Sequence, residues 1–120
     1  MDIVEVLKAL ADETRMRILY LLYKETLCIC ELEEIVKISQ SNASRHVTKL
    51  KNVRLIIGEK HAQWVYYRIN AEILGKYSFL EQLLTKDLAN STQCQKDFGR
   101  LKKYRECGGS CESIVKIADV

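Results

Sequence analysis

The 120-residue chain lacks proline, internal repeats and low-complexity segments. These absences leave no linker at which to divide the chain, so we expect one domain. No apolar run approaches the length of a membrane span, so a membrane partner is not expected. The first residues include the acids Asp2 and Glu5 and no basic region before the apolar positions, so the pattern of a secretion signal is also missing. We therefore expect a soluble, cytoplasmic protein.

With 48% hydrophobic residues, the chain can form one compact core. A helical protein of this size often leaves apolar helix surface that a second subunit covers. We therefore expect a homodimer.

Cysteine is the residue type that calls for an explanation. Five cysteines without an export signal are not expected to form a disulfide framework, because the cytosol keeps thiols reduced and an odd number cannot pair completely. Any one of them can be a small buried hydrophobic residue. The number nevertheless favours metal binding or redox sensing. The residues are Cys28, Cys30, Cys94, Cys107 and Cys111.

Positive charge is concentrated in one segment, although the net charge is only +3. Between residues 40 and 68 there are six arginines and lysines and a single acid, Glu59. Such a segment can face phosphates, or it can be an ordinary solvated basic surface.

Hydrophobic periodicity predicts a mainly helical chain with one β-hairpin. Asp12 and Ser39 stand where N-caps would begin the second and fourth helices. The helices are expected over 2–10, 13–23, 28–37, 40–53, 71–89 and 92–105, and the hairpin strands over 55–59 and 63–69. The Gly108-Gly109 pair is expected to end the last helix and leave a mobile tail.

The third and fourth helices, with the tight break between them, follow the helix-turn-helix layout. In that layout the second helix enters the major groove, and a following hairpin contacts the DNA backbone. The alternative is a solvated helix in a bundle, which the basic hairpin makes less attractive. The candidate DNA-contacting residues are Gln40, Ser41, Asn42, Ser44, Arg45, His46 and Lys49 on the helix, and Lys60 and His61 on the hairpin.

The order of these motifs resembles the ArsR/SmtB family of metal-responsive repressors over roughly residues 5–70. The similar stretches are LKALADETRMRILYLL, LCICELEEIV, ISQSNASRHVTKLKNVRLI and GEKHAQWVYYRI. The resemblance implies a winged helix-turn-helix homodimer, with the first and last long helices at the interface. It also implies binding to an imperfect palindrome and release by a metal ion. The two cysteines in LCICEL make the chain most similar to the arsenical-responsive branch of this family.

Side chains two residues apart on a helix point to nearly opposite sides, so at most one of Cys28 and Cys30 is expected to face the core. Joint binding of one soft ion would therefore require this turn to unwind or to lie at the frayed start of the helix. The family's pattern carries a third cysteine three residues after the second, and Glu33 stands there in this chain. Cys107 or Cys111 could supply the missing ligand.

A second arrangement would instead assemble Cys94, Cys107 and Cys111 in the tail. The family's zinc site in the last helix requires histidine, and residues 71–90 contain none.

We therefore expect a transcriptional repressor that binds operator DNA and is released when Cys28, Cys30, Cys107 and Cys111 provide thiolates to a soft ion. Arsenite or antimonite is the first expectation, with cadmium or lead as further candidates and no organic cofactor. The alternatives are a repressor switched by disulfide formation and a winged helix used only for protein contacts. An enzyme is not expected, since no nucleophile, base and orienting group form a set. Residues 1–105 are expected to form the DNA-binding and dimerisation domain, and 106–120 a flexible cysteine-containing tail.

Overall fold

The computed structural model describes residues 2–117. Most of that part of the chain is helical, with one two-stranded sheet. The elements are α1 (Ile3–Leu10), α2 (Glu13–Lys24), α3 (Ile29–Val36), α4 (Gln40–Asn52), β1 (Ile56–His61), β2 (Trp64–Ile69), α5 (Ala71–Lys76), α6 (Phe79–Gln82), a π-helical turn (Leu83–Asp87) and α7 (Thr92–Glu106). The prediction of a mainly helical winged helix-turn-helix is confirmed.

Both predicted N-caps are present. The Asp12 carboxylate accepts a hydrogen bond from the backbone N–H of Arg15 at 3.0 Å, and the Ser39 hydroxyl accepts one from that of Asn42 at 3.2 Å. Each satisfies a backbone donor that the first turn of its helix leaves free. The start of helix α4 is thus fixed by its own sequence.

Helix α2 lies at the centre of the core. Its residues Ile18, Leu19 and Leu21 are each 0% exposed, and the helix contacts α1, α3, α4, α7 and β2. Helices α3 and α4, which form the helix-turn-helix pair, also pack on each other.

The hairpin is antiparallel, with Ile56 opposite Ile69 at its base and His61 opposite Trp64 at its tip. The backbones of Leu27 and Tyr67 exchange two hydrogen bonds, at 3.0 and 2.8 Å. The hairpin is therefore tied to the segment that leads directly into α3.

The prediction of one helix over 71–89 is wrong. Helix α5 ends before Tyr77, whose backbone is extended, and the chain continues as α6 and the π-helical turn. Gly75 weakens α5 near its end, since glycine is a poor helix former. Ile73 before the break and Leu80 and Leu84 after it are all buried, so the apolar spacing continues across the break.

The last helix begins at Thr92 as predicted and ends at Glu106, one residue later than predicted. After it, residues 107–117 lack regular secondary structure but lie against α3, with Cys111 and Ile117 buried. The mobility predicted for this tail stays a prediction, and its residues 118–120 lie outside the described part of the chain. Within residues 2–117, no helix is long and apolar enough to cross a membrane.

Candidate DNA-binding surface and thiol cluster

The outer face of α4 presents most of the predicted DNA contacts. Gln40, Ser41 and Asn42 are exposed in its first turn, Arg45 and Lys49 are exposed further along, and Ser44 is half-buried. The opposite face of the helix is covered by the core through Ala43, Val47 and Leu50. The polar face of α4 is thus exposed to solvent, while the opposite face is packed against the core.

Arg45 is held in place by its own helix. Its Nη2 donates to Oδ1 of Asn42 at 2.9 Å. A guanidinium positioned in this way can offer its remaining donors in a planar fork, which matches the O6 and N7 acceptors of a guanine in the major groove.

His46 does not belong to this surface, so its interpretation as a DNA contact is corrected. Its side chain is buried, and Nδ1 lies 3.2 Å from Nη1 of Arg15 and 3.9 Å from the Asp12 carboxylate. Burial lowers its pKa, and the nearby positive charges of Arg15, Arg45 and Lys49 act in the same direction while Asp12 opposes them. The ring joins α4 to the start of α2.

The hairpin tip carries Lys60 and His61, both exposed as predicted. Glu59 lies beside them, with a carboxylate oxygen 3.6 Å from Nε2 of His61 and another 3.3 Å from Nη1 of Arg68. This acid partly neutralises the basic tip, so the wing carries less free positive charge than its lysines, arginine and histidine alone would suggest.

The structure brings Cys28 together with Cys111, 83 residues further along the chain, in a disulfide with a Cα–Cα distance of 6.4 Å. Both residues are buried. Cys28 is the N-cap of α3, whereas Cys30 lies inside that helix and is exposed. The expectation that at most one of this pair faces the core is confirmed.

The two thiol positions share a carboxylate neighbour that the sequence argument missed. Glu31 is 1% exposed; its Oε1 accepts a hydrogen bond from the backbone N–H of Cys28 at 3.2 Å and lies 3.4 Å from Sγ of Cys111. We call Cys28, Glu31 and Cys111 the thiol cluster. Among residues 2–117 it is the only group of three or more His, Cys, Asp or Glu side chains with donor atoms all within 4.8 Å of one another.

The other cysteines stay outside the cluster. Cys107 is exposed at the C-cap of α7, so neither arrangement expected for the tail cysteines is assembled as a whole. Cys94 is buried in the first turn of α7, and burial raises the pKa of its thiol. A thiol that resists deprotonation is a poor metal ligand.

Arg105 links the cluster to the last helix. Its Nη1 donates to Oε2 of Glu31 at 2.6 Å and to the carbonyl oxygen of Gly109 at 2.9 Å, and its Nε donates to Glu25 at 3.0 Å. The guanidinium compensates the buried carboxylate and at the same time holds the turn that leads to Cys111.

The end of the tail is fixed to α3 through Glu34. This carboxylate accepts hydrogen bonds from the backbone N–H of Ile117 at 2.9 Å and from Nζ of Lys37 at 2.7 Å. Burial by itself would raise the pKa of Glu34, but these hydrogen bonds, that of Lys116 and the charge of Lys37 lower it to about 2. The tail is therefore docked at two points, Cys111 and Ile117.

Comparison with known proteins gives the same architecture. The family model described as "Bacterial regulatory protein, arsR family" matches residues 12–57, which run from the N-cap of α2 into β1. A solved structure from Mycobacterium bovis, described as the homodimeric winged helix-turn-helix DNA-binding domain of Mb0332, is 26% identical with a TM-score of 0.61. It covers 71% of this chain and 79% of its own.

Curated relatives are named as regulators of resistance to arsenic and cadmium. The arsenic resistance transcriptional regulator ArsR2 of Pseudomonas putida is 36% identical over 74% of this chain and 76% of its own length, and ArsR1 of that organism is 41% identical over 57% and 54%. A CadC homolog of Staphylococcus aureus is 40% identical over 60% of each chain. The chain thus spans about half the length of ArsR1.

Reduced HlyU from Vibrio cholerae is a further similar structure, 33% identical with a TM-score of 0.57 over 69% of this chain and 88% of its own. The relatives named here are regulators rather than enzymes. The shared helix order, the hairpin wing and the extent of the identity lead to one conclusion: this chain is a member of the arsR family of bacterial regulatory proteins, whose members are DNA-binding transcriptional regulators and not enzymes.

Proposed function

We propose that this chain represses transcription from operator DNA in the cytoplasm and leaves the DNA when its cysteine thiolates bind a soft ion. Arsenite or antimonite is the proposed inducer, with cadmium or lead as further candidates. The thiolates come from Cys28, Cys30, Cys107 and Cys111. The names of the relatives, which refer to arsenic and cadmium resistance, support this choice.

One observation carries the proposal: Cys28 begins the helix on which the recognition helix rests. Helices α3 and α4 pack together, and the segment before Cys28 is hydrogen-bonded to the wing through Leu27 and Tyr67. An ion at Cys28 thus acts on an element that contacts both DNA-binding parts. An effector shifts an equilibrium only by its different affinity for the two states.

For DNA binding, we propose that the first turn of α4 reads base edges and that the basic residues hold phosphates. Gln40, Ser41, Asn42 and Ser44 are placed near the bases. Arg45 reaches a guanine, and Lys49, Lys60 and His61 contact the backbone. The exposure of the α4 face supports this assignment.

The homodimer is also a proposal, with residues 1–105 as the DNA-binding and dimerisation domain and 106–120 as the tail. It is supported by an exposed apolar stripe on α1, where Ile3, Val4 and Leu7 are 43%, 52% and 48% exposed. Leu7→Glu should give a monomer by sedimentation at micromolar concentration and weaken operator binding, whereas Glu5→Lys on the same helix should stay dimeric. A dimeric Leu7→Glu variant would remove α1 from the interface.

The experiment for the function as a whole is displacement of the reduced protein from its own promoter DNA, followed by fluorescence anisotropy. Arsenite, antimonite, cadmium and lead are added in turn, with magnesium as the control, since thiolates select soft ions over hard ones. Release by one or more of the soft ions and not by magnesium is expected. Persistent binding under all of them would reject an ion-released repressor.

A second candidate function is favoured by the disulfide between Cys28 and Cys111. In it, the two thiols and one molecule of hydrogen peroxide give the disulfide and two molecules of water, and oxidation alone releases the DNA. Counting free thiols separates the two candidates. A redox sensor loses two thiols to a disulfide, which dithiothreitol reduces back to thiols, and peroxide releases it from DNA without any ion.

A further inference from the structure

We propose that the thiol cluster itself is the inducer site, with Cys28 and Cys111 as the two thiolate ligands, with the Glu31 carboxylate as the third donor when the ion is divalent, and with Cys30 outside it. This inference rests on the proposed function and narrows its ligand set. It places the ion between the N-cap of α3 and the tail, instead of within one turn of α3.

The positions of the three side chains support their assignment as ligands. The two sulfurs and a Glu31 oxygen lie within 4.8 Å of one another, and all three residues are buried. Because Cys28 precedes the first residue of α3, its sulfur can bind an ion while the helix stays intact. A site that used Cys28 and Cys30 together would have to unwind that turn, since Cys30 is an exposed helical residue.

The charges of the cluster support a divalent soft ion at this site. Two thiolates and a carboxylate carry three negative charges, and Arg105 lies 2.6 Å from the carboxylate. A divalent soft ion together with Arg105 balances these charges, which matters because uncompensated charge is costly in a buried site. Arg105 also pairs with Glu25, whose side chain is 39% exposed, so solvent compensates much of that second carboxylate.

Arsenite fits the same two sulfurs without a change of oxidation state. As(OH)₃ exchanges two of its hydroxyl groups for the sulfurs of Cys28 and Cys111. The two thiol protons leave with those hydroxyls as two water molecules, and one hydroxyl stays on arsenic. In that complex Glu31 keeps its ion pair with Arg105. The shared chemistry is therefore a buried dithiol for a soft centre, and Glu31 distinguishes a divalent ion from arsenite.

Contacts between the end of α7 and the start of the tail position Cys111. The Tyr104 hydroxyl donates to the carbonyl oxygen of Ser110 at 3.0 Å, and Arg105 donates to that of Gly109. A side-chain carbon at Gly109 would overlap the Tyr104 ring, so this turn requires glycine. The last turn of α7 and the start of the tail thus set the position of the second sulfur.

A further consequence follows from the disulfide. The two thiols that bind the ion are the ones that oxidation joins, so the oxidised protein has no free ligand pair at this site. Ion binding therefore requires the reduced protein, and an oxidant lowers the response to the ion. One pair of cysteines thus connects the two candidate functions.

The test is direct titration of the reduced full chain with arsenite and, separately, with Cd²⁺, followed by the ultraviolet absorbance of the ion–thiolate bonds. Cys28→Ser and Cys111→Ser should each weaken binding by more than the roughly 10–100-fold that removal of an outer-sphere partner costs. Serine is a preferred N-cap residue, so Cys28→Ser should leave α3 folded. Cys30→Ser and Cys107→Ser discriminate between this site and the wider ligand set of the proposed function. Both variants should bind the two ions as the unsubstituted chain does if Cys28 and Cys111 are the ligands, and more weakly if all four cysteines take part.

The third donor has its own matched pair of variants. Glu31→Gln removes a donor to the ion, so it should weaken Cd²⁺ binding by at least the roughly 10–100-fold cost of an outer-sphere partner and arsenite binding much less. Glu33→Gln, on the same helix, should change neither. Far-UV circular dichroism checks that Glu31→Gln is folded. If it is not, the loss of the titration in Cys111→Ser still tests the site.

Anisotropy on promoter DNA, measured with the same samples, separates the two proposals. Ion binding that depends on Cys28 and Cys111 without release of DNA would support this site and reject the proposed function. Release that survives in Cys111→Ser and is lost in Cys30→Ser would keep the function and overturn this site. Binding of arsenite by the oxidised chain, before any reductant is added, would also overturn it.

Discussion

Arg17 on α2 and Asp97 on α7 form a buried two-point ion pair. Nε of Arg17 donates to Oδ2 of Asp97 at 2.8 Å, and Nη2 donates to Oδ1 at 2.9 Å. The Asp97 side chain is 0% exposed, and Arg17 also donates to the carbonyl oxygen of Val36 at the end of α3. One guanidinium therefore joins the central helix to the last helix and to the support of the recognition helix.

The first prediction concerns this pair. Arg17→Met should lower the free energy of unfolding by about 3–5 kcal/mol, because it leaves a buried carboxylate without its positive partner. Urea denaturation measures the loss. Arg68→Met, which removes the exposed pair with Glu59, is the control and should cost no more than about 1 kcal/mol. Equal losses in the two variants would contradict a special role for the buried pair.

The second prediction concerns Arg45. Arg45→Ala should weaken operator binding by about 1–3 kcal/mol and relax specificity at one base pair, because a two-point contact to guanine is lost. Arg45→Lys keeps the charge but not the planar fork, so it should show the same relaxed specificity with a smaller loss of affinity. Fluorescence anisotropy on a set of single-base operator variants measures both.

If Arg45→Ala instead weakens every sequence equally and lowers the salt dependence, the contact is to phosphate. Unchanged binding by both variants would remove Arg45 from the interface.

The third prediction concerns His46 and pH. Burial lowers the pKa of His46 below 6.5, so as the pH falls below 6.5 the unfolded chain takes up a proton that the folded chain still excludes. The free energy of unfolding should therefore be highest above that pH and decrease below it, until the folded pKa is passed. Denaturant unfolding at a series of pH values between 8 and about 5 measures the slope.

His46→Gln should reduce this slope, and His61→Gln, which changes an exposed ring on the wing, is the matched control. Identical slopes in the unsubstituted chain and His46→Gln would show that another group controls the acid-range stability. Because His46 faces away from the polar side of α4, His46→Gln should also keep the operator specificity, unlike Arg45→Ala.

The sequence was sufficient for the elements whose pattern is local. The caps at Asp12 and Ser39 and the two faces of α4 follow from residue type and spacing within a few positions. The same spacing could have identified His46 as buried, since it lies three residues after Ala43 and four before Leu50 on the covered side. Histidine is also a residue type that contacts DNA, and this property favoured a DNA contact for His46 over the burial that its position indicates.

Other features depend on contacts that local patterns do not contain. The break near Tyr77 does not show in the sequence pattern, because Ile73 before it and Leu80 and Leu84 after it keep a helical spacing. Cys28 and Cys111 are 83 residues apart, and only the packing of α7 and the tail on α3 brings them together. Glu31 could have been recognised as a capping acid from its position three residues after Cys28, but not as a neighbour of the tail.

The last prediction tests the turn that carries Cys111. In Gly109→Ala the new methyl group would overlap the Tyr104 ring, which is 0% exposed and cannot move aside without disturbing the core. The tail should therefore move away from α3, and overpacking of this kind costs about 1–3 kcal/mol where it cannot be relieved. Formation of the disulfide between Cys28 and Cys111 under mild peroxide should be slower, as measured by counting free thiols over time.

Gly99→Ala is the control, because Gly99 lies within α7 with open space around its α-carbon. It should leave disulfide formation unchanged and stabilise the helix by about 0.5–1 kcal/mol. If Gly109→Ala forms the disulfide as fast as Gly99→Ala does, the turn does not control the approach of Cys111, and the position of that sulfur must depend on the anchor at Ile117 instead.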